Sequence, residues 1–229
     1  MDMMEAIRVR HSVRQYKDKP LEGEVLSALQ DEIAACNRES GLHIQLVTNE
    51  PKAFSSFLAR YGTFKGVKNY FALVGKKGPA LEETCGYYGE RLVLRAQQLG
   101  LNTCWVAQTY GKVNSAYQVA PGEKLCAVIA VGYGTSQGMT RKSKTPAEVS
   151  SADGQTPDWF AKGVEAALLA PTAVNQQKFR FTLKGDTVTA EVTPGIGFYT
   201  KIDLGIVKYH FELGAGRPGM LWKKLKSRT

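Results

Sequence analysis

The sequence predicts a mixed fold, α/β or α+β, in which helices and strands alternate along 229 residues. In some segments apolar residues recur three or four positions apart, as on one face of a helix, and in others they alternate with polar residues, as in a strand. These segments interleave along the whole chain, which favours the mixed classes. Hydrophobic residues make up 43% and charged residues 22%, as in ordinary globular proteins. A disordered chain, a fibre and a disulfide scaffold are therefore excluded.

The first half of the chain contains both kinds of pattern. Helical spacing of apolar residues predicts helices, and Gly100 closes the longest of them in the manner of a C-cap. Compact apolar runs predict strands. The predicted helices cover Met3–Val9, the segment after Pro20 from Leu21 through Ile33, residues 52–61 and residues 81–99. The predicted strands cover residues 43–48, 69–74, 103–107 and 125–131.

Residues 132–156 interrupt this pattern, because they are rich in Gly, Ser, Thr, Lys and Pro and contain few large apolar side chains. We expect a long loop or linker there. Thr156 and Pro157 then predict a helix start, with a capping hydroxyl followed by proline at the first helical position, and the helix extends to about Leu169. Alternation predicts a hairpin of strands 179–183 and 188–192. A last helix covers residues 202–213, and a basic tail without acidic residues follows from residue 217.

The chain carries 30 Lys and Arg against 21 Asp and Glu, a net charge of +9. Such a bias favours a phosphorylated ligand, a polyanion or an anionic membrane surface. The four cysteines (Cys36, Cys85, Cys104 and Cys126) are widely spaced without a CxxC pair, which is typical of idle thiols in a reducing compartment. The N-terminus lacks an apolar signal segment, and no apolar stretch approaches the roughly 20 residues of a membrane span. We therefore expect a cytoplasmic protein without a membrane partner.

Histidines give no sign of a metal site. His11, His43 and His210 lack metal-ligand spacing with one another and with the cysteines, so no metal is predicted. His210 lies in the middle of a predicted helix and is interpreted as a structural histidine. Near the N-terminus, however, the run RHSVRQY at residues 10–16 places two arginines, a histidine and a hydroxyl within five positions. Such a run can cradle an anion, since guanidinium forks match phosphate oxygens, or it can be a solvated basic turn.

This run resembles the R-x-S-x-R-x-[YF] signature of the flavin-dependent nitroreductase family. Residues 86–106 are similar to that family's central helix and the strand after it. KSKTP at residues 142–146 resembles its late basic strand, and APTAVNQQ at residues 170–177 resembles its A-P-S-x-x-N-x-Q-P-W segment. GIGF and IDLG, within residues 195–205, resemble its entry to the central helix. The resemblance covers most of the chain and implies an α+β fold with a mixed, mostly antiparallel central sheet flanked by helices.

The order of these motifs is unusual, because the good copy of the A-P-S-x-x-N segment comes late and its early equivalent, residues 35–40, is eroded. A weak internal repeat explains this order: residues 34–46 align with 169–181, and residues 86–96 align with 205–215. Family enzymes are homodimers whose flavin lies between the subunits. The resemblance therefore implies a fused pseudo-dimer with one FMN site. Residues 1–150 would be the half that carries the FMN phosphate motif, and residues 151–229 a truncated half that completes the site.

The resemblance also implies where FMN would bind. Its phosphate and ribityl contacts fall on Arg10, His11, Ser12 and Arg14, with further phosphate charge from Lys142 and Lys144. A doubly charged phosphate is matched to several converging cations. Lys65 lies near the position of a family lysine at the pyrimidine edge of the flavin, where a cation would raise the flavin potential. A solvated loop lysine is the alternative for Lys65.

Two further segments would form the walls around the flavin ring. The backbone of Val106, Ala107 and Gln108 corresponds to the strand end that approaches the flavin N5 atom, although the family often has glycine where Gln108 stands. The opposite wall would come from Pro171, Thr172 and Asn175. Phe198 and Tyr199 are expected either on the substrate side or in the core.

The implied activity is that of an FMN-dependent oxidoreductase. NADH or NADPH passes a hydride to flavin N5, and two electrons then pass to a nitroaromatic, quinone or similar small-molecule acceptor. Because the flavin carries the chemistry, no catalytic side chain is predicted. An FMN-binding sensor or storage protein with little turnover is the alternative. A nucleic-acid partner is not expected, since no recognition motif or basic–aromatic platform is present. A monomer fits a pseudo-dimer, and a homodimer remains an open alternative.

Overall fold

The computed structural model describes residues 1–55, 57–220 and 222. The α-helices in this part of the chain are α1 (Met3–Val9), α2 (Gly23–Ser40), α3 (Phe57–Tyr61), α4 (Leu81–Gln98), α5 (Pro146–Val149), α6 (Asp158–Leu168) and α7 (Thr200–Ala215). The strands are β1 (Gln45–Val47), β2 (Tyr70–Lys76), β3 (Asn102–Val106), β4 (Glu123–Gly132), β5 (Ser150–Ala152), β6 (Phe179–Lys184) and β7 (Thr187–Val192). The fold is α+β, as the resemblance implied.

Four strands form an antiparallel sheet in the order β1-β2-β4-β3. β2 lies inside this sheet, and its side chains alternate between two apolar clusters. Phe71 and Leu73 join the cluster that includes the long helices, whereas Tyr70 and Ala72 join a second cluster on the other face. Because both faces are covered, this strand has a continuous apolar run instead of an alternating pattern.

Three strands form a second sheet in the order β5-β6-β7. β6 and β7 make the predicted antiparallel hairpin, whose turn contains Gly185 with a φ of 55°, a left-handed conformation that glycine adopts without strain. β5 pairs in parallel with β6. Strand β5 therefore joins the second sheet at the boundary between the two expected halves, residues 150 and 151.

Helices α4 and α7 pack against each other with very close backbones. Gly86 of α4 faces the backbone carbonyl of Ile202, and Gly205 of α7 faces the backbone carbonyl of Glu83. A Cβ atom at either glycine would overlap that carbonyl oxygen. Helix α6 covers α7 through the rings of Phe160 and Phe211, whose centroids are 5.5 Å apart. One apolar core thus joins residues of both halves.

Most predicted elements lie within a few residues of the observed ones, but the prediction of a long loop over residues 132–156 was wrong in part. Residues 132–156 contain α5 and β5. Helix α5 forms because Thr145 and Glu148 make a reciprocal capping box and Pro146 occupies the first turn. These local signals were concealed by the polar composition of the segment.

Two helix predictions also need correction. Residues 52–61 form a 3₁₀ turn at Lys52–Phe54 and the short helix α3 instead of one helix. The carboxylate of Glu50 accepts hydrogen bonds from the backbone N–H groups of Lys52 and Ala53. These bonds cap the 3₁₀ turn at Lys52–Phe54 as an element separate from α3. Pro157 is the N-cap of α6 and not its first helical residue, so this helix begins at Asp158.

The basic tail is described only in part. The guanidinium of Arg217 lies 3.7 Å from the ring centroid of Trp159, a cation–π contact. The predicted tail beyond Trp222 lies outside the described residues. Among the helices that are described, none is long and apolar enough to cross a membrane.

Candidate functional site

A cavity of about 360 Å³ lies between segments from the two halves of the chain. Its volume is within the range of small-molecule sites, roughly 300–1,000 Å³. The first half contributes the segment after α1 and the end of β3, and the second half contributes the segment after α6 and the start of α7. The lining residues are Ser12, Arg14, Cys104, Trp105, Val106, Ala107, Gln108, Thr109, Ala127, Pro171, Thr172, Ala173, Val174, Phe198, Tyr199, Ile202, Asp203 and Ile206.

The N-terminal wall follows α1, which ends at Arg10 in an extended conformation. The chain then runs beside β3: Ser12 forms a bridge with Thr103, and the N–H of Val13 donates to the Thr103 carbonyl at 3.0 Å. This pairing places the side chains of Ser12 and Arg14 at the cavity. The exposed Lys65 is tied to the same segment, because its N–H donates to the Arg14 carbonyl at 3.0 Å.

The opposite wall begins where α6 ends. The segment from Pro171 to Gln177 makes a tight irregular turn, and Val174 has a φ of 45° and a ψ of 26°. Such left-handed values are unusual for a β-branched residue and indicate strain. The N–H of Gln177 donates to the hydroxyl of Thr172 at 3.1 Å, which closes the turn from inside.

Arg141 holds this turn in place. Its guanidinium donates to the side-chain oxygen of Asn175 at 2.7 Å and to the carbonyls of Leu168 and Ala170 at the end of α6. The amide of Asn175 in turn donates to the carbonyl of Lys142 at 2.9 Å. Asn175 therefore supports the wall from behind and does not line the cavity.

Gln177 joins the same turn to the basic segment 142–144. Its side-chain oxygen accepts the N–H of Lys144 at 2.9 Å, and its backbone carbonyl accepts the ammonium of Lys144 at 2.8 Å. Lys142 contributes its carbonyl to this network and leaves its side chain exposed. The two lysines predicted to add phosphate charge thus lie behind the wall and not among the lining residues.

A buried polar cluster lies beside the N-terminal wall. The carboxylate of Glu90 accepts the indole N–H of Trp105 at 2.8 Å and contacts the Nε2 atom of His210 at 2.8 Å. The Nδ1 atom of His210 lies 3.1 Å from the carbonyl of Ala166. Both ring nitrogens of His210 therefore have an oxygen partner within hydrogen-bond distance. The prediction that His210 is a structural histidine fits these contacts.

Positive charge is concentrated at the same place. Arg10 is 5% exposed, its Nε atom has no hydrogen-bond partner in the described part of the chain, and the nearest Glu90 oxygen is 3.9 Å away. Burial lowers the pKa of Arg10, although Glu90 opposes the shift. Burial and the charge of Arg10 lower the pKa of Arg141 to about 10. Partial burial, with Arg10 and Arg141, also lowers the pKa of His11.

Asp203 lines the cavity from the first turn of α7. It is 4% exposed, and its carboxylate accepts the N–H of Ala173 at 2.9 Å and the side-chain amide of Gln176 at 2.6 Å. Burial raises the pKa of Asp203 to about 6, although these donors and Arg141 oppose the shift. A carboxyl with such a pKa can change its charge near neutral pH.

The structure brings together seven of the thirteen predicted site residues along the cavity wall. They are Ser12, Arg14, Val106, Ala107, Gln108, Pro171 and Thr172. The remaining six, Arg10, His11, Lys65, Lys142, Lys144 and Asn175, are not among the lining residues. Phe198, for which the substrate side and the core were open alternatives, is 58% exposed and lines the cavity.

Comparisons with known proteins identify the family of this chain. A family model described as "Putative TM nitroreductase" matches residues 2–215. The chain belongs to this nitroreductase family. No curated protein sequence matches it.

Solved structures of nitroreductases share the fold. One from Thermotoga maritima is 24% identical, with a TM-score of 0.63 over 93% of this chain and 83% of that chain. One from Desulfovibrio desulfuricans, solved in complex with FMN, is 16% identical, with a TM-score of 0.51 over 69% of this chain and 98% of that one. An NADH dehydrogenase/NAD(P)H nitroreductase of Parabacteroides distasonis is 22% identical, with a TM-score of 0.50 over 64% and 95% of the two chains. At these identities the likeness concerns the fold alone.

Proposed function

We propose that this member of the nitroreductase family is an FMN-dependent oxidoreductase and that FMN binds in the cavity between the two halves. The observation that carries the proposal is the position of this cavity. It is bounded on one side by the Ser12 and Arg14 motif and on the other by the Pro171–Thr172 turn. A solved structure with this fold contains FMN. NADH or NADPH is the proposed reductant.

The residues present fit an anionic cofactor. Arg10 is buried and Arg141 half-buried, both with lowered pKa values, and the Nε atom of Arg10 has no hydrogen-bond partner among the described residues. Buried guanidinium groups with incomplete partners favour an added anion, because charge-assisted hydrogen bonds would satisfy them. The phosphate of FMN would supply such an anion beside Ser12 and Arg14. The cavity also has a mostly apolar lining, as a flat aromatic ring requires.

In this proposal the protein binds FMN, orients it and shields it from water. Arg14 and Ser12 would hold the phosphate and ribityl end, supported by Arg10 and His11. The backbone of residues 106–108 and the turn at Pro171 and Thr172 would hold the ring between them. FMN, when bound, supplies the two-electron chemistry by taking a hydride from a nicotinamide and reducing an acceptor. The mostly apolar lining would exclude water around the ring.

A further part of the proposal is that the chain is a fused pseudo-dimer with one FMN site. The close contacts of α4 and α7 support it: Gly86 meets residue 202 and Gly205 meets residue 83, and an offset of 119 positions turns one contact into the other, since it relates 86 to 205 and 83 to 202. Such reciprocal contacts are expected across a two-fold axis. Each half also has a helix, two antiparallel strands and a second helix, α2, β1, β2 and α4 in the first and α6, β6, β7 and α7 in the second; in the first half a 3₁₀ turn and α3 are inserted between the two strands.

The cofactor proposal is tested by substituting the cavity arginine. Arg14→Ala should weaken FMN binding by about 10- to 100-fold, because a charge-assisted hydrogen bond is lost. Flavin affinity is measured by fluorescence quenching on titration. Arg38→Ala, which removes an exposed arginine of α2, is the matched control and should bind as the unchanged protein does. A protein that is colourless when purified and does not bind added FMN would contradict the proposal.

Turnover is tested separately, because an FMN sensor or store would also bind flavin. The FMN-loaded protein is mixed anaerobically with NADH or NADPH, and the flavin absorbance is followed before and after addition of a nitroaromatic or a quinone. An oxidoreductase should lose the absorbance rapidly and regain it with the acceptor. Bound FMN that neither nicotinamide reduces would favour the sensor or store.

A further inference from the structure

A second cavity, of about 260 Å³, lies at one end of the four-stranded sheet, where β1 ends, β2 begins and β4 ends. It shares no lining residue with the cavity between the two walls. Its lining residues are Tyr16, Lys17, Asp18, Lys19, Pro20, Leu21, Thr48, Asn49, Gly66, Lys68, Asn69, Val131 and Gly132. We call it the lysine pocket, after its three lysines. Because it is smaller than the roughly 300–1,000 Å³ of most small-molecule sites, it favours a small ligand.

A tight turn brings two of these lysines to the lysine pocket. The N–H of Lys19 donates to the carbonyl of Lys17 at 2.9 Å, the hydrogen bond of a three-residue turn. The N–H of Lys17 donates to the carbonyl of Tyr133 at 2.8 Å, which holds the turn against the end of β4. The ammonium of Lys19 lies 4.0 Å from the ring centroid of Tyr133, a cation–π contact. The turn is therefore fixed at its backbone and at one side chain.

The facing side of the lysine pocket is held just as firmly. The ammonium of Lys68 donates to the carboxylate of Asp18 at 2.7 Å, which ties the start of β2 to the turn. Asn49, after β1, has a φ of 53°, a left-handed value that asparagine tolerates. Its N–H donates to the side-chain oxygen of Asn69 at 3.1 Å. The walls of the pocket are thus connected without a ligand between them.

Asn69 supplies a buried donor to the lysine pocket. It is 7% exposed and lines the pocket. Because its side-chain oxygen accepts the N–H of Asn49, the other branch of the amide is the NH₂ group. This NH₂ group has no hydrogen-bond partner among the residues that the structure describes. Buried polar groups are normally hydrogen-bonded, so an acceptor that enters the pocket would complete this one.

The charges of the lysine pocket favour a dianion. Three ammonium groups and the one carboxylate of Asp18 line it, which leaves two positive charges. The side chain of Asp18 is 81% exposed, so water screens its charge. Lys17 makes no ion pair within the described part of the chain. A phosphate monoester carries about −1.5 to −2 charges at pH 7, whereas a carboxylate carries one, and lysine binds phosphate as a point charge.

We propose that the lysine pocket binds a small phosphate monoester by its phosphate group, with Lys17, Lys68 and the NH₂ group of Asn69 as donors. Lys19 adds positive charge beside the phosphate. Leu21, which is buried and lines the pocket, contacts the carbon skeleton of the ligand. The inference goes beyond the proposed function and does not depend on it, because the two cavities have separate linings.

The test is calorimetric titration of the full chain with ribose 5-phosphate at constant ionic strength, with ribose, acetate and inorganic phosphate as reference ligands. The ester should bind more tightly than each of the three. Lys17→Gln should weaken its binding by about five-fold or more, because one ammonium contact is lost. Asn69→Asp should weaken it by about ten-fold or more, because a carboxylate replaces the donor yet can still accept the N–H of Asn49.

Lys184→Gln is the matched control, since it removes an exposed lysine of β6 that does not line the lysine pocket. This variant should bind ribose 5-phosphate as the unchanged protein does. Equal losses in Lys17→Gln and Lys184→Gln would show general attraction to a basic protein and would overturn the inference. The exposed Lys17 allows this comparison even where Asn69→Asp does not fold.

Arg14→Ala separates the lysine pocket from the cavity between the two walls. It should bind ribose 5-phosphate like the unchanged protein, because Arg14 lines only that other cavity. Loss of binding in this variant would place the ester beside Arg14 and overturn the inference. Equal affinities for the ester and for inorganic phosphate would refute the contact with a carbon skeleton. Absence of binding to the ester would refute the site while the proposed function stands.

Discussion

Asp203 is the ionisable residue whose charge state bears most directly on the cavity. Its buried carboxyl lines the cavity wall, and it also accepts hydrogen bonds from the turn that contains Val174. Burial raises its pKa from 3.8 to about 6. The folded chain then binds a proton more tightly than the unfolded chain between these two values. The free energy of unfolding consequently falls as pH rises through this window, by about 3 kcal/mol when the pKa difference is converted to energy.

Asp203→Asn removes this titration. The difference in free energy of unfolding between the variant and the unchanged protein should shift by about 2 kcal/mol in favour of the variant as pH rises from 4 to 7. Urea unfolding at each pH measures the difference. Asp186→Asn, in the exposed hairpin turn, is the control and should show no such shift. A pH-independent difference for Asp203→Asn would show that the carboxyl is not held protonated by burial.

The site residues that the sequence could indicate are those in contiguous motifs. Ser12 and Arg14 share one run, and Pro171 and Thr172 share another, so a short pattern predicted their placement along the cavity. Arg141, Gln176, Asp203 and Glu90 act across separations of 15 to 120 residues, and a local pattern carries no information about such contacts. For Arg141 the sequence held one signal, which is its place directly before the basic segment 142–144.

At the scale of elements, the α4 and α7 pair determines the distance between the two walls of the cavity. Glycines at positions 86 and 205 let the helices approach to backbone contact, and Asp203 and Ile206 of α7 then reach the cavity. The alignment of residues 86–96 with 205–215 already pairs these two glycines. Their contact, however, depends on how the helices cross, and a sequence alignment does not determine a crossing.

Gly205→Ala should destabilise the protein by about 3 kcal/mol or more, because its Cβ would overlap the Glu83 carbonyl oxygen and the backbones must separate. Thermal and urea unfolding measure this loss. Gly78→Ala is the matched control: a Cβ there has no atom within 4 Å, and the change should stay within about 0.5 kcal/mol. Equal stabilities of the two variants would contradict the close packing of α4 and α7.

The elements themselves could largely be predicted, since the long helices and the hairpin have strong apolar periodicity. The failures lie in short elements. Strand β5 has three residues, and it forms because β6 offers a parallel partner far along the chain. Periodicity needs more residues than this to be detected, so composition alone favoured a loop.

At the scale of the whole molecule, the two halves share one core and are proposed to share one FMN. The solved structures from Desulfovibrio desulfuricans and Parabacteroides distasonis align over 98% and 95% of their own lengths. Those alignments use only 69% and 64% of this chain. The basic motif occurs near residues 10–14 and has no counterpart in the second half, so the second equivalent site would lack its phosphate contacts.

FMN should therefore saturate the protein at one molecule per chain. Isothermal titration, checked against the flavin released on denaturation, gives the stoichiometry. Two equivalent FMN molecules per chain would contradict the single-site proposal, and so would half a molecule per chain, which would place the cofactor between two chains.

Both walls of the cavity belong to one polypeptide, and this has a consequence for dilution. A site shared between separate subunits comes apart when the protein concentration falls below the dissociation constant of the dimer. In this chain the two walls face each other at an effective concentration that the connecting segment sets, whatever the amount of protein in solution. The cavity should consequently keep its shape, and its affinity for ligands, at the lowest concentrations that can be assayed.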